Sequence, residues 1–212
     1  MHSDYTVYGR LTTKVLRAKR APLSWRLRNT LRWGYITGWL YNGLAKVFSR
    51  WTGIVTLTST LYVRVRRASG EWVNYGAVCF KKVTKVGVTY LVDDWVGGAS
   101  DISAMKYHGC GTDSTAEANT QTALIAECTA ILNPDNTRAT GTQTKVGGDN
   151  NILQSVGTVL FDGGGTITEH GLLSQAATGG GTLWDRHIFT GIGVGSGDSI
   201  QFTYQVTCNY EA

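Results

Sequence analysis

The chain has 212 residues, 42% of them hydrophobic and 17% charged, with 27 glycines and only two prolines. So low a charge fraction with so much glycine fits short strands joined by tight turns, and it excludes a helical bundle, a coiled coil or a long disordered tail. Collagen is excluded by the lack of a third-residue glycine period, and a spanning helix by the lack of an uncharged apolar run of about 18 residues. The net charge of +5 hides a division. Residues 1–50 carry ten Lys/Arg against one acid, and residues 86–212 carry four against thirteen. A basic front and an acidic back point to a polyanionic partner for the front, or to an acidic neighbour within a homo-oligomer.

Residues 1–22 read as a flexible or extended basic arm, with Arg17, Lys19 and Arg20 close together and Pro22 as a stop. In residues 23–51, Leu23, Leu27 and Leu31 recur at four-residue steps. Ile36, Leu40, Leu44, Val47, Phe48 and Trp51 continue at mixed three- and four-residue steps, which is helical spacing. Arg26, Arg28, Arg32, Lys46 and Arg50 supply the basic complement, and Trp25, Trp33 and Trp39 add aromatic mass. Gly34, Gly38 and Gly43 each weaken a helix by about 1 kcal/mol relative to Ala, so the segment predicts one or two short, broken amphipathic helices. Such a segment can lie on a membrane surface, on nucleic acid or on a neighbouring subunit.

From residue 54 the period changes to two. Thr56 to Arg67 puts Leu61, Val63 and Val65 on one face and Arg64 and Arg66 on the other. Ala68-Ser69-Gly70 turns, and Glu71 to Phe80 returns as a hairpin partner. Lys82 to Val92 fits either a strand or a short helix. Met105 to His108 reads as a short strand, Gly109 to Ala118 as a loop, and Ala123 to Ile131 as a weak patch before the Asn133-Pro134-Asp135-Asn136 turn. Strands are then expected over Thr137–Val146, Leu153–Phe161, Ile167–Ser174, Leu183–Phe189 and Asp198–Tyr210. In the last of these Ile200, Phe202, Tyr204, Val206 and Cys208 share a face. The expected fold is mainly β: an antiparallel β-sandwich or jelly-roll-like domain over residues 54–212, preceded by a basic, partly helical N-terminal arm over residues 1–53.

The residues offer little chemistry. The four cysteines, Cys79, Cys110, Cys128 and Cys208, form no CxxC pair, and His108-x-Cys110 is too little for zinc, so no metal or cofactor is expected. With no recognisable signal peptide, reduced thiols are expected. Gly191, Gly193, Gly195 and Gly197 imitate a phosphate loop, but a strand follows them and not a helix, so a hairpin bend is the better reading. Glu169, His170, Asp185 and His187 lie on adjacent predicted strands. Because sequence neighbours on a strand face opposite ways, no more than two of the four are expected to meet, as a cross-strand pair. Trp51, Trp72, Trp95 and Trp184 have no common spacing that would make them a sugar-stacking platform, and packing or interface roles are the better reading.

A set of short blocks resembles a virion structural protein of tailed bacteriophages: Leu57–Leu61, Gly70-Glu71, Tyr107–Thr112, Thr115–Ala118, Arg138–Gln143, Ile167–Leu172, Gly181–Arg186 and Gly197–Tyr204, in that order, over about residues 56–208. The resemblance implies a β-rich, non-enzymatic component of the virion, assembled in the host cytoplasm, and transfers no catalytic residue. The expected function is a capsid decoration or cement protein, a homotrimer or other homo-oligomer that binds the major capsid protein through residues 1–50. The alternative is a tail, collar or fibre component contacting tail or connector proteins, with a receptor- or carbohydrate-contacting β-domain. Arg17, Lys19, Arg20, Arg26, Arg28 and Arg32 are the expected contacts to an acidic shell surface or packaged nucleic acid. Trp25, Trp33, Trp39 and Trp51 are the expected interface aromatics, and a membrane is the disfavoured partner.

Overall fold

The structure is a computed structural model and describes residues 18–81 and 83–210. The chain runs β1 (Lys19–Arg20), α1 (Leu23–Thr30), α2 (Trp33–Thr52), β2 (Thr56–Arg66), β3 (Trp72–Lys81) and α3 (Lys85–Trp95). After a short 3-10 turn come β4 (Tyr107–Gly111), β5 (Ala139–Thr140), β6 (Thr142–Val146), β7 (Ile152–Leu160), β8 (Gly165–Leu173), β9 (Leu183–Val194) and β10 (Ser199–Asn209). One sheet has the order β1-β3-β2-β10-β7-β6, and the other β5-β4-β8-β9. All pairings are antiparallel except β1 with β3. The mainly-β fold class expected from the two-residue period is what the chain adopts.

The sandwich core follows directly from that period. Leu61, Val63 and Val65 of β2 and Ile200, Phe202, Tyr204 and Val206 of β10 turn inward from the first sheet. They meet Ile167, Leu172, Phe189 and Ile192 of the second. Each fully buried side chain of this size contributes about 1.5–3 kcal/mol. The β2–β3 hairpin carries two register shifts, beside Leu61/Tyr62 and Val63/Arg64, and Gly76 at φ +71° accommodates one of them.

The structure decides between readings the sequence left open and corrects others. The ambiguous segment after residue 82 is helical: Thr84 caps α3 by accepting a hydrogen bond from the Gly87 amide at 3.0 Å. Of the glycine-rich stretch at 191–197, Gly191 and Gly193 lie within β9 and only the residues after Val194 make a tight turn, which is no hairpin. It carries the chain from β9 in one sheet to β10 in the other, held by Asp198, which accepts from the Gly195 and Ala68 amides and pairs with Arg67 at 2.8 Å. Lys19 and Arg20, expected in a flexible or extended arm, form an edge strand parallel to β3, with Lys19 3.0 Å from Glu71. The expected helical segment is broken, but at Leu31-Arg32 between α1 and α2 and not at its glycines. The four cysteines are free thiols, three buried and Cys208 exposed.

Candidate functional site

The two helices before the sandwich pack in an unusual sense. On α2 the residues facing the sheets are Gly38, Asn42, Ala45 and Ser49, at steps of four, three and four. Asn42 Nδ2 donates to the Ser59 carbonyl at 3.0 Å, and the Ser49 and Thr56 hydroxyls share a 2.7 Å hydrogen bond. Gly38 lets the helix axis approach β3, because a Cβ there would overlap the Phe80 carbonyl. Gly53, at φ +69°, closes the helix by donating to the Ser49 carbonyl.

The opposite face is apolar. Trp33, Leu40, Leu44, Val47, Phe48 and Trp51 are all more than 45% exposed, Leu44 at 68% and Trp51 at 83%. On α1 the inward residues are Trp25 and Asn29, and the outward ones Leu23, Leu27 and Leu31. The Asn29 side chain bridges the two sheets: Nδ2 donates to the Val78 carbonyl of β3 and Oδ1 accepts from the Thr190 amide of β9, both at 2.9 Å. Trp25 and Tyr35 apart, the helices therefore grip the sandwich with small and polar groups and present their large apolar groups outward. A contiguous exposed apolar surface of this kind marks an interaction site.

The structure separates the expected contact residues. Arg20, Arg26 and Arg28 are exposed and Arg32 partly so, while Lys19 is exposed but tied to Glu71; Arg17 lies outside the described residues. Trp33, Trp39 and Trp51 are exposed as an interface requires. Trp25 is not: it is 6% exposed, its indole N–H donates to the Thr190 and Gly191 carbonyls, and its ring meets Tyr75 edge-on at 4.6 Å. Its place is in the packing of α1 on the sandwich. Trp51, Trp72, Trp95 and Trp184 lie on four different elements. Trp72 stacks under Arg64, and Trp184 is buried with its N–H on the Tyr204 hydroxyl.

Between the sheets lies a second cluster, larger than the pair expected from sequence. His170 and His187 are direct cross-strand partners, and Asp185 shares the face of His187, so three of the four residues meet and not two. The reason is the two-residue period itself: positions 185 and 187 point the same way. His108 of β4 joins them, 2.9 Å from His170, with its other ring nitrogen 2.9 Å from the Ser155 hydroxyl. Asp185 Oδ2 accepts from Ser59 at 2.6 Å and from Tyr204 at 2.9 Å. His170 Nδ1 has no hydrogen-bond partner. The tautomers that leave an acceptor orphaned there, in place of an N–H, have His170 Nε2–H donating to His108 and His108 Nε2–H donating to Ser155. Burial in this apolar surround pushes the His108 pKa down to about 3 and the His170 pKa well below its ordinary value, so both rings are neutral. Burial also pushes the Asp185 carboxyl up to about 8. Glycines make the room: a Cβ at Gly157 would overlap the His108 ring.

Glu169 faces the other way, out of the sandwich, onto Arg186 at 2.7 Å. Glu169 also accepts from the Ile125 and Ala126 amides, and Arg186 reaches Asp113, Thr115 and Gln121. Arg138 and Glu127 form a second, bidentate pair, and Arg138 also holds the Gln175 and Gly180 carbonyls. These groups fasten the 112–138 segment over the outer face of the second sheet. The histidine cluster is fully buried, and among the described residues no three His, Cys, Asp or Glu side chains converge to hold a metal ion. Its hydrogen bonds specify how the sheets pair; the exposed helix face is the surface available to a partner. Among the described residues no helix is long and apolar enough to cross a membrane. Comparison with family models, curated protein sequences and solved structures finds no match to this chain.

Proposed function

We propose that the protein is a non-enzymatic structural component of a tailed-phage virion, a decoration or cement protein that attaches to the assembled shell through its N-terminal segment. The observation that supports this reading most is the outward apolar face of α1 and α2 on an otherwise closed β-sandwich. A face of exposed Leu and Trp is retained where something covers it. Across residues 5–70 the sequence has no acid, so what covers it must be acidic or neutral. Around α1 the exposed Arg20, Arg26 and Arg28, with Leu23, Leu27 and Leu31, form the shell contact. The resemblance of the β-domain to virion proteins points the same way.

Deleting residues 1–50 is a poor test, because Trp25, Asn29, Asn42 and Ser49 are built into the sandwich. The better test is binding of the full chain to purified shells lacking it. Arg26→Glu/Arg28→Glu, both on exposed positions, is expected to weaken binding at least tenfold with unchanged folding. Undiminished binding would reject the assignment, and labelled protein at a single vertex would move it to the tail or collar.

A further inference from the structure

The third helix repeats the construction of α2 with the opposite charge. α3 sits on β9 through Gly87, whose Cβ would come within 2.7 Å of the Trp184 carbonyl. Its large residues point outward: Val88, Val92, Trp95 and Val96 are all more than 45% exposed, Trp95 at 72%. They recur at steps of four, three and one, as a ridge along one side of the helix. Asp93 and Asp94 lie at the C-terminal end of α3, turned from the ridge toward the loop that follows, where they accept from the Ser100 and Ile102 amides. With Asp101 and the carbonyl end of the helix dipole they make that end of the helix negative. The helix has one cation, Lys85, at its far end.

Beside α2 runs a groove of about 880 Å³. Trp39, Leu40 and Leu44 supply its apolar wall, and Lys46 and Arg50 its charge, against one acid, Asp149. Gly43 also lines it. Among the described residues nothing lies within 4 Å of where a Cβ at Gly43 would be. A glycine in mid-helix costs stability relative to Ala, and the fold of one chain does not require this one. Close approach of a second helix would.

We infer that the protein self-associates head to tail, the α3 ridge of one copy lying in the groove beside α2 of the next. The two faces are complementary in chemistry: the apolar ridge against the wall of Trp39, Leu40 and Leu44, and the negative C-terminal end of α3 toward Lys46 and Arg50. A symmetric pairing of α2 with α2 would instead oppose four cations. Because donor and acceptor faces differ, the contact is heterologous, of the kind that builds a ring when the rotation between copies closes. This leaves α1 and its arginines for the shell. The inference rests on the assembly reading only for its purpose, since self-association is measured on the purified chain alone.

The test uses two full-length variants in sedimentation velocity, with circular dichroism as the folding control. Gly43→Leu fills the groove while favouring the helix; Val92→Glu/Trp95→Glu removes the ridge. The wild type is expected to form a discrete oligomer that weakens with added salt. Each variant alone should be monomeric, and an equimolar mixture should give a dimer and nothing larger, because one intact ridge and one intact groove remain. A monomeric wild type, a ridge variant that still dimerises, or a mixture that stays monomeric each overturns the inference. Shell binding by a wild type that remains monomeric would leave the proposed function standing without it.

Discussion

The sandwich and the helix pair obey opposite rules of burial. In the sandwich, alternate residues turn apolar side chains inward, and nearly every polar group taken in with them has a partner. In α1 and α2 the groups turned inward are Trp25, Asn29, Asn42, Ser49 and small residues, while the leucines and the other tryptophans face out. The first arrangement is complete within one chain. The second is complete only with another surface over it. Substitutions should therefore act on folding in one region and on association in the other.

The largest effect on folding is expected at Arg186. Its guanidinium is 2.7 Å from Glu169, and both side chains are excluded from water. Arg186→Met would leave the Glu169 carboxylate buried with only backbone amides as partners. Breaking a buried pair in this way costs about 3–5 kcal/mol. Chemical denaturation should show that loss, and protease sensitivity should appear first in residues 113–127, which the pair holds down. A double variant, Glu169→Gln/Arg186→Met, should recover part of it, because the uncompensated charge is gone.

The second effect is a stability optimum near pH 6.5, set by the buried cluster. His108 and His170 have folded pKa values below their unfolded value of 6.5, so the stability they confer is present above pH 6.5 and is lost as pH falls through the folded values, about 3 for His108. Asp185 works in the other direction. Its folded pKa of about 8 lies above the unfolded 3.8, so its contribution is full below pH 3.8 and lost as pH rises through 8. As pH falls below 6.5 the unfolded chain takes up two protons on the histidines that the buried rings resist, while the native chain holds one extra on Asp185. Stability then falls on acidification by roughly 1.4 kcal/mol per pH unit. Between 6.5 and 8 Asp185 alone of these three groups differs, and its contribution falls by about as much per unit on alkalinisation. Asp185→Asn should flatten the alkaline limb and leave the acid limb, as read from melting temperature across the range. An unchanged alkaline limb would place its cause elsewhere.

The strands were legible because their burial pattern repeats every two residues, as in β10, where Ile200, Phe202, Tyr204 and Val206 turn inward as read. Helix α3 was not, since Val86, Val88, Val92 and Leu91 suit either period and the deciding group, the Thr84 hydroxyl on the Gly87 amide, is a local cap. The histidine cluster was half legible. Positions 185 and 187 share a face by arithmetic alone, but His108 joins them across a sheet pairing, β4 with β8, that no local pattern encodes. The leucine steps of α1 and α2 announced helices. They could not announce which face the sandwich takes, and the usual reading of an apolar stripe as the buried side is reversed here.

That reversal can be measured on α1, where an inward polar residue and an outward apolar one sit two positions apart. Asn29→Ala removes hydrogen bonds to both the Val78 carbonyl and the Thr190 amide in a buried site, which should cost about 2 kcal/mol or more, at roughly 1–3 for each group left unsatisfied. Ordinary amphipathic packing would predict the opposite order, with the leucine as the costly loss.

The smallest effect on folding, and the sharpest test of the comparison, is at the outward positions. Leu27 is 52% exposed, and Leu44 and Val47 are similarly open. In a single chain Leu27→Ser or Leu44→Ser removes side chains that already meet water, so melting should move by no more than about 0.5 kcal/mol equivalent. Solubility should rise, because an exposed apolar patch is reduced. If these residues are covered in the assembled state, the same substitutions should weaken association strongly while the isolated chain is unaffected. Leu27→Ser should act on shell binding and Leu44→Ser on self-association. A loss of several kcal/mol in the isolated chain would mean that the stripe is already buried in solution, and the opposition between the two regions would fail.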